Sequence, residues 1–460
     1  MGAALPVGKL FRLSALASLT LLAACGDRAM GQLCAPDGAA APLLAPVPAA
    51  QGPMRIYWDG SESIAGYVDG ATDSVRPLGD LQPLLAAHAR DGGVTAQWFR
   101  FGERVAPLAS GSGLASTAFY RCGRQGSCDN QESRIDTVLN RMAERTGPGL
   151  DVMVTDLWLS NTAFQGSAEI ALGQPIRSLM AKGKAIGVIG VRAPYAGPVY
   201  DVPGVGTHQG ARERPLFVIL VGSRTEVLSA YRTLSRSGSP ALSGERMKFS
   251  LFTPEPANAW LGADLPIQTT GDIAAQRLID GDQSDALPQL RLSLDQLRTG
   301  QASLRAPVRA DARILPGAVW KGRLGGQTQV WRRAGGCGAG AGAWQAQPAL
   351  SGAWKPDGDT GAVFTLDGGS TQNLVAGSDY LIQAQLTSRD LAPSPAETKW
   401  LRDWSVSPER ARAVSAAAPA FFPTLNLAAF TEQLEAGLRE TTPAAGLPLA
   451  SLAVLVRVEP

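Results

Sequence analysis

Met54-Arg55-Ile56-Tyr57-Trp58-Asp59-Gly60-Ser61-Glu62-Ser63 decides how the chain is read. A short apolar run ends in a carboxylate, and two hydroxyls follow at alternate positions on a loop that contains glycine. Such a run, bounded by a turn signal, reads as a buried strand that stops at Asp59. Its end presents hard oxygen donors, which suit Mg²⁺, or Mn²⁺ or Ca²⁺ in its place, better than a soft metal. A second apolar run, from Asp151 to Thr155, closes in the same manner on Asp156.

Outward from these two runs, strand-like and helix-like segments alternate between residues 53 and 235, the pattern of an α/β domain with a mostly parallel sheet. Val94 to Phe101, Ala185 to Val191 and Pro215 to Val221 read as further strands, the last two apolar enough to be covered on both faces. Leu81, Leu84, Leu85 and His88 share a helical face, with Asp80 as the expected N-cap. Ile135, Val138, Leu139 and Met142 share another, and Ser133 with Asp136 has the form of a capping box. Helices are also expected around 175–182 and over 225–234. In an open parallel sheet the loops at the carboxyl ends of the strands converge on one crevice, so Asp59 and Asp156 should meet there. The Gly- and Pro-rich connection from Arg192 to Arg214 is long, as loops that carry function often are.

Asp59-Gly60-Ser61-Glu62-Ser63 resembles the Asp-x-Ser-x-Ser signature of von Willebrand factor A-type (VWA) domains, a MIDAS-type motif. The resemblance spans roughly residues 53–235 and implies a Rossmann-like, three-layer α/β fold. It implies that Asp59, Ser61 and Ser63 hold a divalent cation directly or through water. Thr155-Asp156 matches the Thr-Asp at the end of a later strand of the family, so Asp156 would contact the metal through water or brace its ligands. Ser133 matches a threonine that the family supplies from an intervening loop. The open coordination position would then be completed by an acidic group on a protein partner. Trp58 is bulkier than the family's residue before the aspartate, Glu62 stands at a usually small position, and Leu157-Trp158 follows Asp156 where glycine is common.

The rest of the sequence gives this module its expected setting. Lys9 and Arg12 precede an apolar stretch, Leu13 to Ala24, which reads as a signal peptide over residues 1–24. Leu22-Ala23-Ala24-Cys25 resembles the bacterial lipobox, which implies cleavage before Cys25 and a lipid on its thiol. Gly26 after the cysteine favours delivery to the outer membrane, facing the periplasm. Residues 25–52, rich in Ala and Pro, form an extended tether. The domain organisation expected is an α/β domain over 53–240 and a β-rich domain over 241–460. In the latter, Leu290 to Leu294 and Tyr380 to Leu386 alternate at strand period, Leu427, Phe430, Leu434 and Leu438 line a helix, and Ser451 to Val458 reads as a final strand. Trp320, Trp331, Trp344 and Trp354 recur there, as packing residues before a sugar-binding surface.

Five cysteines leave four beside Cys25. Cys122 and Cys128 are close enough to pair and Cys34 with Cys337 could form a second bridge, although three connectivities are open. The lack of paired Cys-x-x-Cys units argues against zinc. A formal charge of +2 with interspersed signs leaves no nucleic-acid footprint. Two other functions compete with cation-dependent binding. Asp59 could be the nucleophile of a phosphohydrolase, but Ser61 stands where that chemistry needs a second carboxylate as general acid. A serine hydrolase has only His88 and His208 as possible bases and lacks the Gly-x-Ser-x-Gly elbow. The second alternative is a metal-free structural or assembly lipoprotein.

Overall fold

The computed structural model describes residues 52–121, 131–159, 168–254, 259–261, 268–270, 275–276, 289–298, 303–309, 324–334, 343–347, 352–356, 361–366, 373–388, 395–441 and 447–460. The signal peptide, Cys25 and nearly all of the tether lie outside them, as do Cys34, Cys122, Cys128, Cys337 and Trp320.

The first layer of strands is β1 (Met54–Asp59), β2 (Ala96–Phe101), β3 (Val105–Leu108), β4 (Asp151–Thr155), β5 (Ala185–Pro194), the small hairpin β6 (Val199–Val202) and β7 (Gly206–His208), β8 (Glu213–Gly222) and β9 (Met247–Phe252). Seven of these form one sheet in the order β3-β2-β1-β4-β8-β5-β9. Helices α1 (Ala65–Asp69), α2 (Pro77–Asp91), α3 (Thr117–Tyr120), α4 (Ile135–Glu144), α5 (Ala168–Ala181) and α6 (Arg224–Ser235) connect them. Alternation along β1 sends Ile56 and Trp58 to one face and Tyr57 and Asp59 to the other. Ile56 and Trp58 join Leu81 and Leu85 of α2 and Val227 of α6, whereas Tyr57 joins Ile135 and Leu139 of α4 and Ile176 of α5. The domain is therefore α/β, with helices on both faces of a central sheet.

The expectation of a mostly parallel sheet is corrected. β1 runs parallel to β2 and β4, but the pairs β2–β3, β4–β8, β8–β5 and β5–β9 are antiparallel. The cause lies between β5 and β8: residues 195–212 hold the β6–β7 hairpin and no crossover helix. A strand that returns without a crossover lies antiparallel to its neighbour, and β8 thereby wedges between β4 and β5. Its amino-terminal end, at Glu213 and Arg214, now sits at the edge where β1 and β4 finish.

Two local expectations also change. α2 begins at Pro77, with Pro at the first position and Arg76 as its N-cap, so Asp80 lies inside the helix and accepts from Ser239 Oγ at 2.5 Å instead of capping. At α4 the N-cap is Arg134, with no side-chain cap, and the Ser133–Asp136 capping box is absent because Arg134 takes Asp136 by two hydrogen bonds. α6, in contrast, has a capping box in Ser223 and Glu226.

The later part of the chain adds α7 (Leu294–Arg298), α8 (Pro395–Asp403), α9 (Pro408–Ala417), α10 (Leu427–Thr441) and a second, largely antiparallel sheet. Its centre is the strand Ser378–Ser388, paired on one side with Leu324–Ala334 and on the other with Leu447–Glu459. A four-stranded sheet packs nearby, with Trp354 over Phe364 at 5.2 Å and against Gly326. Trp331 is buried among Leu381 and Leu455, with Trp344 beside it, so the described tryptophans of this region pack. Residue 240 does not mark the edge of the first sheet, which β9 extends. α8 also returns to that sheet, where Trp400 packs on Phe217, donates to Ser250 Oγ at 2.9 Å and, with Trp404, fills the space over Gly190. α10 lies on α5, its expected apolar face of Leu427, Phe430, Leu434 and Leu438 wholly buried.

Candidate cation site at the ends of strands β1 and β4

The loop after β1 is held by its own backbone. Gly60 N donates to Phe101 O at 2.6 Å, and Arg100 Nη2 donates to Gly60 O at 3.0 Å. Arg100 passes so close that a Cβ at position 60 would lie 2.1 Å from its Nε, which is why glycine follows Asp59. Trp58 points away from the site and donates to Tyr120 OH at 2.8 Å, so its bulk is accommodated on the opposite face.

Asp59 is fully buried and ringed by donors. Its Oδ1 accepts from Ser61 N at 2.9 Å, its Oδ2 from Thr155 Oγ1 at 2.7 Å, and Ser133 Oγ lies 2.9 and 2.8 Å from the two oxygens. Arg134 N donates to Gly102 O at 2.9 Å and so fixes the Ser133 segment to the end of β2. Ser61 Oγ and Ser63 Oγ lie 3.1 Å apart, and Ser61 makes no side-chain cap to the short helical turn it heads. Burial, reinforced by the negative charge of Asp156, pushes the Asp59 carboxyl up to about 6 in spite of these hydrogen bonds. Glu62 is exposed and stands outside this ring.

Asp156 lies one residue past β4 on a strained turn. Its Oδ1 accepts from Trp158 N at 3.2 Å, and Leu157 is held in the left-handed region at φ 47°. A non-glycine residue there costs about 1 kcal/mol or more, which the surroundings must offset. They do so through Thr424, fully buried, whose hydroxyl reaches both Asp156 O at 2.9 Å and Leu157 O at 3.2 Å. Asn426 Nδ2 donates to Leu159 O at 2.9 Å. Position 157 thus keeps a backbone shape suited to glycine while its leucine side chain is buried in the core.

Asp156 Oδ2 faces Arg214 Nη1 at 3.3 Å, with both side chains 1% exposed. The guanidinium lies over the rings of Trp158 and Tyr195, 5.2 and 4.9 Å from their centres. Its burial opposes the charge, but Tyr67, Tyr195 and Asp156 around it hold it more firmly protonated than an ordinary arginine. His208 lies further out, stacked on Phe422 at 4.5 Å with Nδ1 2.8 Å from Ser415 Oγ, and burial and Arg214 both lower its pKa. His88 is remote, on α2, with Nδ1 2.9 Å from Thr233 Oγ1 of α6.

The fold therefore gathers the residues singled out in the sequence: Asp59, Ser61, Ser63, Ser133 and Asp156 lie around the ends of β1 and β4. Thr155 contacts Asp59 directly, Thr424 holds the turn, and Arg214 brings a positive charge. Nothing in the spacing marked these last two, since Arg214 arrives by the reversed direction of β8 and Thr424 from the far end of the chain.

No family model, curated protein or solved structure matches the chain.

The donor set fits a small hard cation. With metal–oxygen distances of about 2.1 Å, adjacent oxygens of an octahedral Mg²⁺ shell are about 3 Å apart. The Ser61–Ser63 hydroxyl pair and the Ser133–Asp59 pairs have that spacing, which is also that of the hydrogen bonds they make with one another. Among the described residues no group of three His, Cys, Asp or Glu side chains could hold a metal, so the shell would be made of hydroxyls, one carboxylate and water. Hydroxyl and carboxylate oxygens suit Mg²⁺ or Mn²⁺ better than a thiophilic metal.

Proposed function

We propose that the chain is a lipid-anchored protein of the bacterial cell envelope whose α/β domain binds a protein or other acidic ligand through a divalent cation. The observation that carries the reading is the gathering around Asp59 of Thr155 from the end of β4, Ser133 from just before α4 and the Ser61–Ser63 pair from its own loop. The arrangement supplies one ionised ligand and several neutral ones, a set that would retain water on the metal and leave room for a partner's carboxylate. The tether after Cys25 would hold the site away from the membrane.

The phosphohydrolase alternative is disfavoured by the same contacts. Ser133 and Thr155 hold the Asp59 carboxylate in place, Ser61 stands where that chemistry needs a general acid, and Asp156 is paired with Arg214. Isothermal titration of the detergent-purified full chain with Mg²⁺ and Mn²⁺, beside its Asp59→Ala variant, tests the proposal. Heat of binding from the unaltered chain alone is expected; turnover of a generic phosphate ester, abolished by Asp59→Ala, would favour the hydrolase.

A further inference from the structure

Arg214 is a permanent positive charge in a place where water scarcely reaches. A guanidinium does not lose its proton under any ordinary condition, and this one is held by an ion pair with Asp156 and lies against the rings of Trp158 and Tyr195. Apolar side chains of the same volume would stabilise the fold as well as a buried ion pair or better, so packing gives no reason for a charge here. The charge acts on what is nearest: Asp156 directly, and the site that Asp156 shares with Asp59.

We propose that Arg214 sets the net charge of the cation-loaded site and so makes it select an anionic, carboxylate-bearing ligand. The inference rests on the cation reading of the site. Two carboxylates alone would cancel a divalent ion and leave a neutral surface with little attraction for an acidic partner. With Arg214 present, one carboxylate is already neutralised, and the bound cation leaves a positive charge over. The cation itself is held less tightly as a consequence, because Arg214 repels it. Arg214 therefore works in opposite directions on the two steps, weakening uptake of the metal and strengthening capture of the anion that follows. No contact between Arg214 and the ligand is needed, since in a poorly solvated site one unit charge acts over several ångströms.

Opposite signs make the test specific. The full chain in detergent is titrated first with Mg²⁺ and then, saturated with Mg²⁺, with a hexaglutamate peptide. Arg214→Gln should bind Mg²⁺ more tightly and hexaglutamate more weakly, each by about tenfold, and Arg214→Lys, which keeps the charge, should return both values toward those of the unaltered chain. Asp156→Asn shifts the balance the other way, toward weaker Mg²⁺ and tighter hexaglutamate, and carries the test if Arg214→Gln shows no cooperative thermal transition. A residue with only a structural role would weaken both steps together. That result, or failure of hexaglutamate to bind the Mg²⁺-loaded chain, overturns the inference while leaving the cation site in place. Absence of Mg²⁺ uptake by the unaltered chain overturns both.

Discussion

Asp59 is the residue on which the site turns, and its burial has a measurable consequence. Because its folded-state carboxyl holds a proton up to about pH 6, against 3.8 for the free group, the metal-free native state binds more protons than the unfolded chain between these values. This contribution therefore favours folding most below pH 4 and declines as pH rises from about 4 to about 6, by on the order of 3 kcal/mol. Denaturant titrations with chelator present should show that slope, and Asp59→Asn should flatten it. A divalent ion competes with the same proton, so Mg²⁺ affinity is expected to rise about tenfold per pH unit below pH 6 and to level off above it. Gly60 offers a second check at this scale. Gly60→Ala would drive Arg100 from its place and should reduce Mg²⁺ affinity, read by calorimetry, while far-ultraviolet circular dichroism stays unchanged. Both Asp59 and Gly60 were legible in the sequence because a strand and the turn that ends it are written in adjacent residues.

At the scale of elements, legibility follows from how local each interaction is. β4 spans the residues that the apolar run marked, and the apolar face of α10 is buried as its spacing predicts. The direction of β8 was not legible, because an apolar run of that kind suits a covered strand of either sense, and only the absence of a crossover helix after β5 decides it. Arg214 was hidden for the same reason. In a parallel sheet its end of the strand would have been on the opposite edge from Asp156. Ser133 was legible as a residue, although its hydroxyl reaches Asp59 rather than a helix amide. Thr424 carries a prediction of its own, since its one hydroxyl serves two carbonyls on the turn that bears Asp156. Thr424→Val keeps the shape and removes the donor, which should cost about 1–3 kcal/mol and lower Mg²⁺ affinity, whereas Thr424→Ser should recover most of both. Urea unfolding and calorimetry on the two variants read these effects separately. The α5–α10 contact is equally testable: a Cβ at Gly437 would lie 3.0 Å from Met180 Sδ and 3.1 Å from Ile176 Cγ2. Gly437→Val should therefore destabilise the chain by about 1–3 kcal/mol through overpacking.

For the whole molecule, the described residues join early and late parts of the sequence around one sheet. α8 and α10 pack on a domain whose first strand lies more than 300 residues earlier, so the two sheets are not separated by a simple boundary near residue 240. The segment from Trp404 to Asn426 holds the turn of Asp156 from outside, with Trp404 O accepting from Thr424 N at 2.9 Å and Val406 O from Asn426 N at 2.9 Å. Among the described residues no helix is long and apolar enough to cross a membrane. The lipid anchor proposed at Cys25 has a test of its own: Cys25→Ser is expected to abolish incorporation of labelled palmitate into the full chain. Whether a cation sits beside Asp59 is decided by anomalous diffraction from a crystal of the full chain grown with Mn²⁺. Cation binding there predicts a peak within bonding distance of Ser61 Oγ and Ser63 Oγ and beside the Asp59 carboxylate. An ordered site with no such peak, its oxygens satisfied by one another and by Arg214 alone, would contradict it.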